Sequence, residues 1–214
     1  MATADCTPIT VAPGASRLFQ DFCSGVKAAR AFYALPAGSK LAQESVNGAH
    51  REVLLAELER QNPAAHAGKA LEILRQGGGT IVTGQQVGLF GGPLYTALKA
   101  ASAIARARQA TAAGRPHAPV FWLATEDHDF AEINHVTFPA RLELKTLRYT
   151  SEPETPRPVG GLVLDDSITA LVGQAWELLG YSGAMEALAE AYKPGRTLAQ
   201  AFAEFYSKAV AAQG

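Results

Sequence analysis

Two short stretches concentrate the groups able to do chemistry. The first is TGQQVGLFGGPLYT, Thr83 to Thr96. Its glycines, Gly84, Gly88, Gly91 and Gly92, permit positive φ and close approach of the backbone to a ligand. Pro93 opens a helix and leaves nearby amides, those of Gly91, Gly92 and Leu94, without intrahelical partners. Such an end attracts phosphate or carboxylate. Thr96 lies in the first turns of that helix. Lys99 is less than two turns along, where its ammonium could fold back toward an anion. The amides of Gln85 and Gln86 both donate and accept. Gly84, Gln85, Gln86, Gly91, Gly92, Thr96 and Lys99 are therefore the candidate cofactor-binding residues. No Gly-Lys-Ser/Thr follows the glycines, and their spacing fails G-x-G-x-x-G. The alternative is a tight strand-to-helix turn without a ligand.

The second stretch, Glu126-Asp127-His128-Asp129, sets three carboxylates around one imidazole, with Glu132 and His135 close behind. General acid or base, metal ligation, binding of a substrate amine and plain solvated charge are all open. The H-E-x-x-H spacing is absent, and crowded acids suit a hard cation or an ammonium group. On a helix, His128 and His135 would share a face. Asp129 could instead cap that helix, and Glu126 could face water. Asp127, His128 and Asp129 are the candidate catalytic residues, and no metal ligand set is assigned. Other candidates are weaker. Ser102 and Ser182 lack a base-and-orienter pattern, Trp122 and Trp176 read as core, and His50, His66 and His117 occur singly and read as solvent-facing.

The elements between these stretches follow from periodicity. After an irregular lead-in over 1–13, Leu18, Phe19, Phe22, Val26, Ala29 and Phe32 predict one amphipathic helix from Ser16 to about Ala34, stopped by Pro36 and Gly38. A second helix, about Ala49 to Arg60, should bury Val53, Leu54 and Leu58. Asn62-Pro63 predicts a cap and first position for a third, with Ala67, Leu71 and Leu74 inward, ending at Gly77-Gly78-Gly79. Thr80 to Val82 reads as a short strand. Pro93 begins a long helix with a stripe of Leu94, Leu98, Ala101, Ile104 and Ala105, stopped at Gly114. Pro119 to Ala124 is a continuous apolar strand, completing a βαβ unit of parallel strands. Ligands of open α/β sheets bind beyond the carboxyl ends of the strands. If the two strands are neighbours, both chemical stretches meet at one crevice.

Beyond Phe130, Leu142 to Tyr149 could form a strand, and SEPETPRP is a connector. A further strand is expected around Val159 to Leu164. Helices follow at Ser167 to Leu179, capped by Asp166 or Ser167, and at Thr197 to Ala212. Three regions result: a helical 1–78, a βαβ core at 79–138, and a connecting segment at 139–214. Only two parallel strands are evident and the chain ends on a helix, so either further strands are hidden or it is part of something longer.

Composition excludes several classes. Lys+Arg 19 against Asp+Glu 20 gives net charge −1, so no global field recruits nucleic acid or an anionic membrane. Hydrophobic content of 48% and charged content of 18% suit a soluble globular chain. Cys6 and Cys23 show neither metal spacing nor a disulfide framework. No apolar run approaches the ~18 residues of a spanning helix. MATADCTPITVAPG lacks a secretory pattern, and a cytoplasmic enzyme or binding protein is expected.

TGQQVGLFGGPLYTALKA followed by PVFWLATEDHDFAEINHV resembles the cysteine ligases of bacillithiol biosynthesis, the cysteine-adding enzymes of that pathway. The helical lead-in and TLAQAFAEFY near Tyr206 are similar too. The resemblance covers nearly the whole chain but not a whole family member, which implies an N-terminal portion. It implies an α/β fold: a helical lead-in, then part of a Rossmann-like, class I nucleotidyltransferase-like parallel sheet with an inserted segment. It also implies addition of cysteine through its carboxyl group to the amine of glucosaminyl-malate, with ATP or another adenine nucleotide as activator, and a homodimer built on a coiled coil. The His-x-Gly-His of adenylating relatives is here Gly-Gly-Pro-Leu, Gly91 to Leu94. Backbone amides, Lys99 and His128 would have to serve instead.

Overall fold

A glycine interrupts the first helix. In the computed structural model, Gly25 takes φ +73° and separates α1, Arg17–Cys23, from α2, Lys27–Arg30. The single helix expected there is two short ones, and of its apolar positions only Ala29 is buried. The structure describes residues 14–33, 49–62, 64–140, 142–152, 155 and 157–211. The lead-in over 1–13 and the stops at Pro36 and Gly38 lie outside them. Two compact units result, residues 1–44 and 45–214. The first two helices fall in the first unit, and the sheet, the helices over 49–75 and everything after 138 fall in the second.

In the second unit, α3 (Ala49–Gln61) precedes α4 (Ala64–Arg75). Val53 and Leu54 are exposed, contrary to expectation, whereas Leu71 of α4 is buried. Arg75 holds the two helices together, meeting Glu59 at 2.9 Å and Glu72 at 3.2 Å. The Asn62 side chain donates to the Leu58 carbonyl at 2.8 Å, closing the end of α3. The cap expected at Asn62-Pro63 cannot be followed further, because Pro63 lies outside the described residues.

The βαβ unit is present. β1 (Gly79–Gln86) pairs in parallel with β2 (His117–Ala124), from Gly79 opposite His117 to Gln86 opposite Ala124. The crossover is α5, Leu94–Ala112. Its buried face is not the expected one: Thr96, Ala100, Ala103, Ala107 and Ala110 turn inward. Leu94, Tyr95 and Leu98 are exposed. Alanines let a helix lie close on a sheet, so the small stripe wins the interior over the larger one. His117 is also buried, against expectation, with Nδ1 2.8 Å from the Arg115 carbonyl. Gly79 admits its ring, since a Cβ there would lie 2.6 Å from His117 Nε2.

Alternate residues of β2 face opposite sides. Phe121 stacks on Tyr206 with centroids 5.6 Å apart, beneath α9 (Leu198–Ala211). Trp122, on the other side, is 62% exposed beside an exposed Val82, so the expectation of a core tryptophan fails. Trp176 is likewise part-exposed, at the edge of Tyr181.

After β2 come the single turn α6 (Phe130–Ile133) and an antiparallel hairpin of β3 (His135–Ala140) and β4 (Glu143–Arg148). The strand expected at Val159 to Leu164 is instead a 3₁₀ turn, Val159–Gly161, and one bridge from Val163 to Thr197. The backbone there pairs locally with 195–198, through Gly195 N to Leu164 O at 2.8 Å and Leu198 N to Leu162 O at 2.8 Å. α7 (Ser167–Leu179) starts under Asp165, whose carboxylate accepts from Ser167 N at 2.9 Å; Asp166 makes no side-chain cap bond. α8 (Gly183–Ala191) was not expected; Ser182 caps it by accepting from Met185 N at 3.2 Å. A reciprocal pair between Thr197 and Gln200 starts α9. Val87, Leu89, Phe90, Leu164, Ile168, Met185, Tyr192 and Phe202 form the core, so the glycine-rich loop is packed inside the C-terminal helices. Among the described residues no helix is long and apolar enough to cross a membrane.

Candidate functional site

Parallel pairing puts the carboxyl ends of β1 and β2 side by side, and the two chemical stretches leave from there. Gly84 makes this approach possible, because a Cβ on it would lie 2.8 Å from the Trp122 carbonyl oxygen. Gln86, the last residue of β1, then reaches across. Its Nε2 donates to Asp127 Oδ2 at 3.0 Å and to Glu132 Oε2 at 3.1 Å. Gln85 Nε2 donates to Gln86 Oε1 at 2.8 Å, and Lys99 Nζ donates to Gln85 Oε1 at 2.8 Å and to the Gly84 carbonyl at 3.2 Å. Lys99 also lies 5.0 Å from the centre of the Tyr95 ring. One hydrogen-bonded chain therefore runs from the α5 ammonium through two amides to two carboxylates.

The acidic stretch is folded on itself. Asp127 Oδ1 accepts from Asp129 N at 2.9 Å, and Asp129 Oδ1 accepts from Glu132 N at 3.0 Å as the N-cap of α6. The Asp129 amide, then the Gln86 side chain, hold the Asp127 carboxyl below the usual carboxylate range. The same two donors favour the ionised form of Asp127. His128 is exposed beside it. His135 is not on a helix with His128; it opens β3, with Nδ1 3.2 Å from Asn134 Oδ1. The backbone of this stretch is anchored by the 3₁₀ turn, with Val159 N donating to Asp127 O at 2.7 Å and Gly160 N to Thr125 O at 3.1 Å. Among the described residues, no group of three or more His, Cys, Asp or Glu side chains could hold a metal ion.

The glycine-rich loop is less open than its composition suggests. Gly91 and Gly92 take positive φ, 84° and 73°, but their amides are used internally. Gly91 N donates to the Tyr192 hydroxyl at 2.9 Å and Gly92 N to the Leu89 carbonyl at 2.9 Å. Thr96 is buried under Gly92, where a Cβ would lie 3.2 Å from its hydroxyl. With Lys99 turned to Gly84 and Gln85, the residues named for a nucleotide do not form a phosphate cradle in this conformation. The loop's own partners, Tyr192 and Tyr206, escaped the sequence reading because they lie about a hundred residues away. Tyr206 falls within the family-like TLAQAFAEFY, which is the only sequence signal pointing to it.

The parallel strand pair with its crossover helix agrees with a Rossmann-like family match. A model of the bacillithiol biosynthesis BshC N-terminal Rossmann-like domain matches residues 4–214. The chain belongs to the BshC family. BshC of Koribacter versatilis (strain Ellin345) is 38% identical over 221 residues, covering 98% of this chain and 41% of that relative. BshC of Solibacter usitatus (strain Ellin6076) is 32% identical, covering 93% and 39%. BshC of Salinibacter ruber (strain DSM 13855 / M31) is 37% identical, covering 87% and 37%. These relatives carry a cysteine-ligase name. The chain spans about two fifths of the length of the curated relatives it matches. Its fold is α/β with the Rossmann-like domain of BshC, as the motifs implied.

Proposed function

We propose that this chain is the substrate-binding N-terminal portion of a cysteine ligase of bacillithiol biosynthesis, and that its crevice takes the amine of glucosaminyl-malate. The observation that supports this reading is the Gln86 bridge to Asp127 and Glu132, which joins both loops over the strand ends. An ionised Asp127 attracts an ammonium group, and the Gln85–Gln86 pair offers donors and acceptors to sugar hydroxyls. An amine attacks a carboxyl carbon only as the free base, so a proton must leave it. His128, exposed next to Asp127, takes it in this reading. An adenine nucleotide would supply activation of the cysteine carboxyl, and the engaged amides of Gly91 and Gly92 give its phosphates no ready seat.

Calorimetric titration of the chain with glucosaminyl-malate tests the reading. Binding is expected, weakened at least about tenfold by Asp127→Asn, in line with the worth of a charge-assisted contact. Absence of binding by the unsubstituted chain sinks it. In a full-length family member, alanine at the positions of Asp127 and His128 should abolish the thiol product.

A further inference from the structure

The turn from Gly88 to Gly91 is bridged by a side chain from far along the chain. The Gly88 carbonyl and the Gly91 amide are the acceptor and donor that would ordinarily pair across a β-turn. Here the Tyr192 hydroxyl stands between them: it donates to Gly88 O at 2.7 Å and accepts from Gly91 N at 2.9 Å. The other side of the same residue is held as well, since the Tyr206 hydroxyl donates to Gly91 O at 2.8 Å. Between these bonds Phe90 takes φ 51° and ψ 39°, a left-handed conformation unusual for a bulky residue. Its ring packs edge-on against Tyr192, centroids 5.1 Å apart. Gly91 has no room for a side chain, because a Cβ would lie 2.6 Å from Phe205 Cε1. Strain of this kind persists only where the surroundings over-determine it.

We infer that Tyr192 and Tyr206 are positioning residues of the crevice: their hydroxyls hold Gly88–Gly91 in the strained shape that sets the start of α5 and the end of β1. The inference rests on the crevice being the substrate site. Burial raises both phenols above their ordinary range, Tyr206 to about 12, which favours the protonated form. Tyr192 donates one bond and accepts another, which a neutral phenol can do and a phenolate cannot.

Hydrogen exchange on this chain, comparing Tyr192→Phe and Tyr206→Phe with the unsubstituted protein, tests it. Phenylalanine keeps the ring and removes only the hydroxyl. Amides over 88–92 should exchange about tenfold faster in Tyr192→Phe and several-fold faster in Tyr206→Phe, with the β3–β4 hairpin unchanged. Tyr206 is only part-buried, so Tyr206→Phe still decides the matter if Tyr192→Phe does not fold. Unchanged exchange over 88–92, or equal acceleration throughout 45–214, overturns the local role. Glucosaminyl-malate titrated into the same variants separates the two ideas. If the unsubstituted chain binds and a variant with a loosened loop binds equally well, the link to the crevice is overturned. If the unsubstituted chain does not bind, the functional reading fails and exchange alone judges the clamp.

Discussion

Gln86 Nε2 lies 3.0 Å from Asp127 Oδ2, so the end of β1 and the loop after β2 act as one hydrogen-bonded unit across 41 residues of chain. That contact makes the acidic stretch a partner of the glycine-rich loop. It also has a titratable consequence.

Removing the Gln86 amide should raise the Asp127 pKa toward the ordinary carboxylate value, though only part of the way. The Asp129 amide, the larger cause of the depression, remains. The depressed folded value means that Asp127 contributes stability above its unfolded pKa and loses it as pH falls through the folded one. Gln86→Ala therefore moves that loss to higher pH. Carboxyl carbon NMR titration of both proteins reads the shift directly; an unchanged Asp127 titration contradicts it.

Phe90 offers a reversal of the usual order of substitutions. Truncating a ring this buried costs about 3–5 kcal/mol. Alanine also keeps the penalty of a left-handed backbone, about 1 kcal/mol, which glycine escapes. Phe90→Gly should thus be about 1 kcal/mol more stable than Phe90→Ala in urea unfolding, although glycine is ordinarily the worse choice.

Gly84→Ala should destabilise by about 1–3 kcal/mol. The obstacle is the Trp122 carbonyl oxygen at 2.8 Å, part of the β1–β2 ladder, which cannot swing aside like a side chain. A thermal midpoint equal to that of the unsubstituted protein would show that the strands can separate without loss.

The two faces of α5 should respond unequally. Leu98 is exposed, and Leu98→Gln should change stability by no more than about 0.5 kcal/mol. Ala107 is 2% exposed, and Ala107→Leu should cost about 1–3 kcal/mol by overpacking. Paired denaturation curves check both magnitudes.

What was legible in the sequence was local. Glycine and proline punctuation, with a β-branched run and an apolar run, located β1, α5 and β2, and the rule for strand ends brought Gln86 and Asp127 together. The inward face of α5 was not legible, because hydrophobic size pointed to Leu94 and Leu98 while close packing on the sheet selected alanines. Val53 and Leu54 misled too, since both are exposed on α3. β3 was hidden by Pro139 and by its half-polar pattern, and Val159 to Leu164 looked like a strand although its partners are the turn at 195–198. The engaged amides of Gly91 and Gly92 could not be read from composition, since their partners are tertiary.

The hydroxyl clamp also orders events in time. The bonds from Tyr192 and Tyr206 to the loop span 101, 104 and 115 residues. Contacts so distant in sequence must close loops of about a hundred residues, and they can form only once residues 192 and 206 have been made. During synthesis, Thr83 to Thr96 leaves the ribosome well before either tyrosine exists, and it waits without the groups that bend it. The glycine-rich stretch is thus among the early parts of the chain to be made and among the last to reach its working shape.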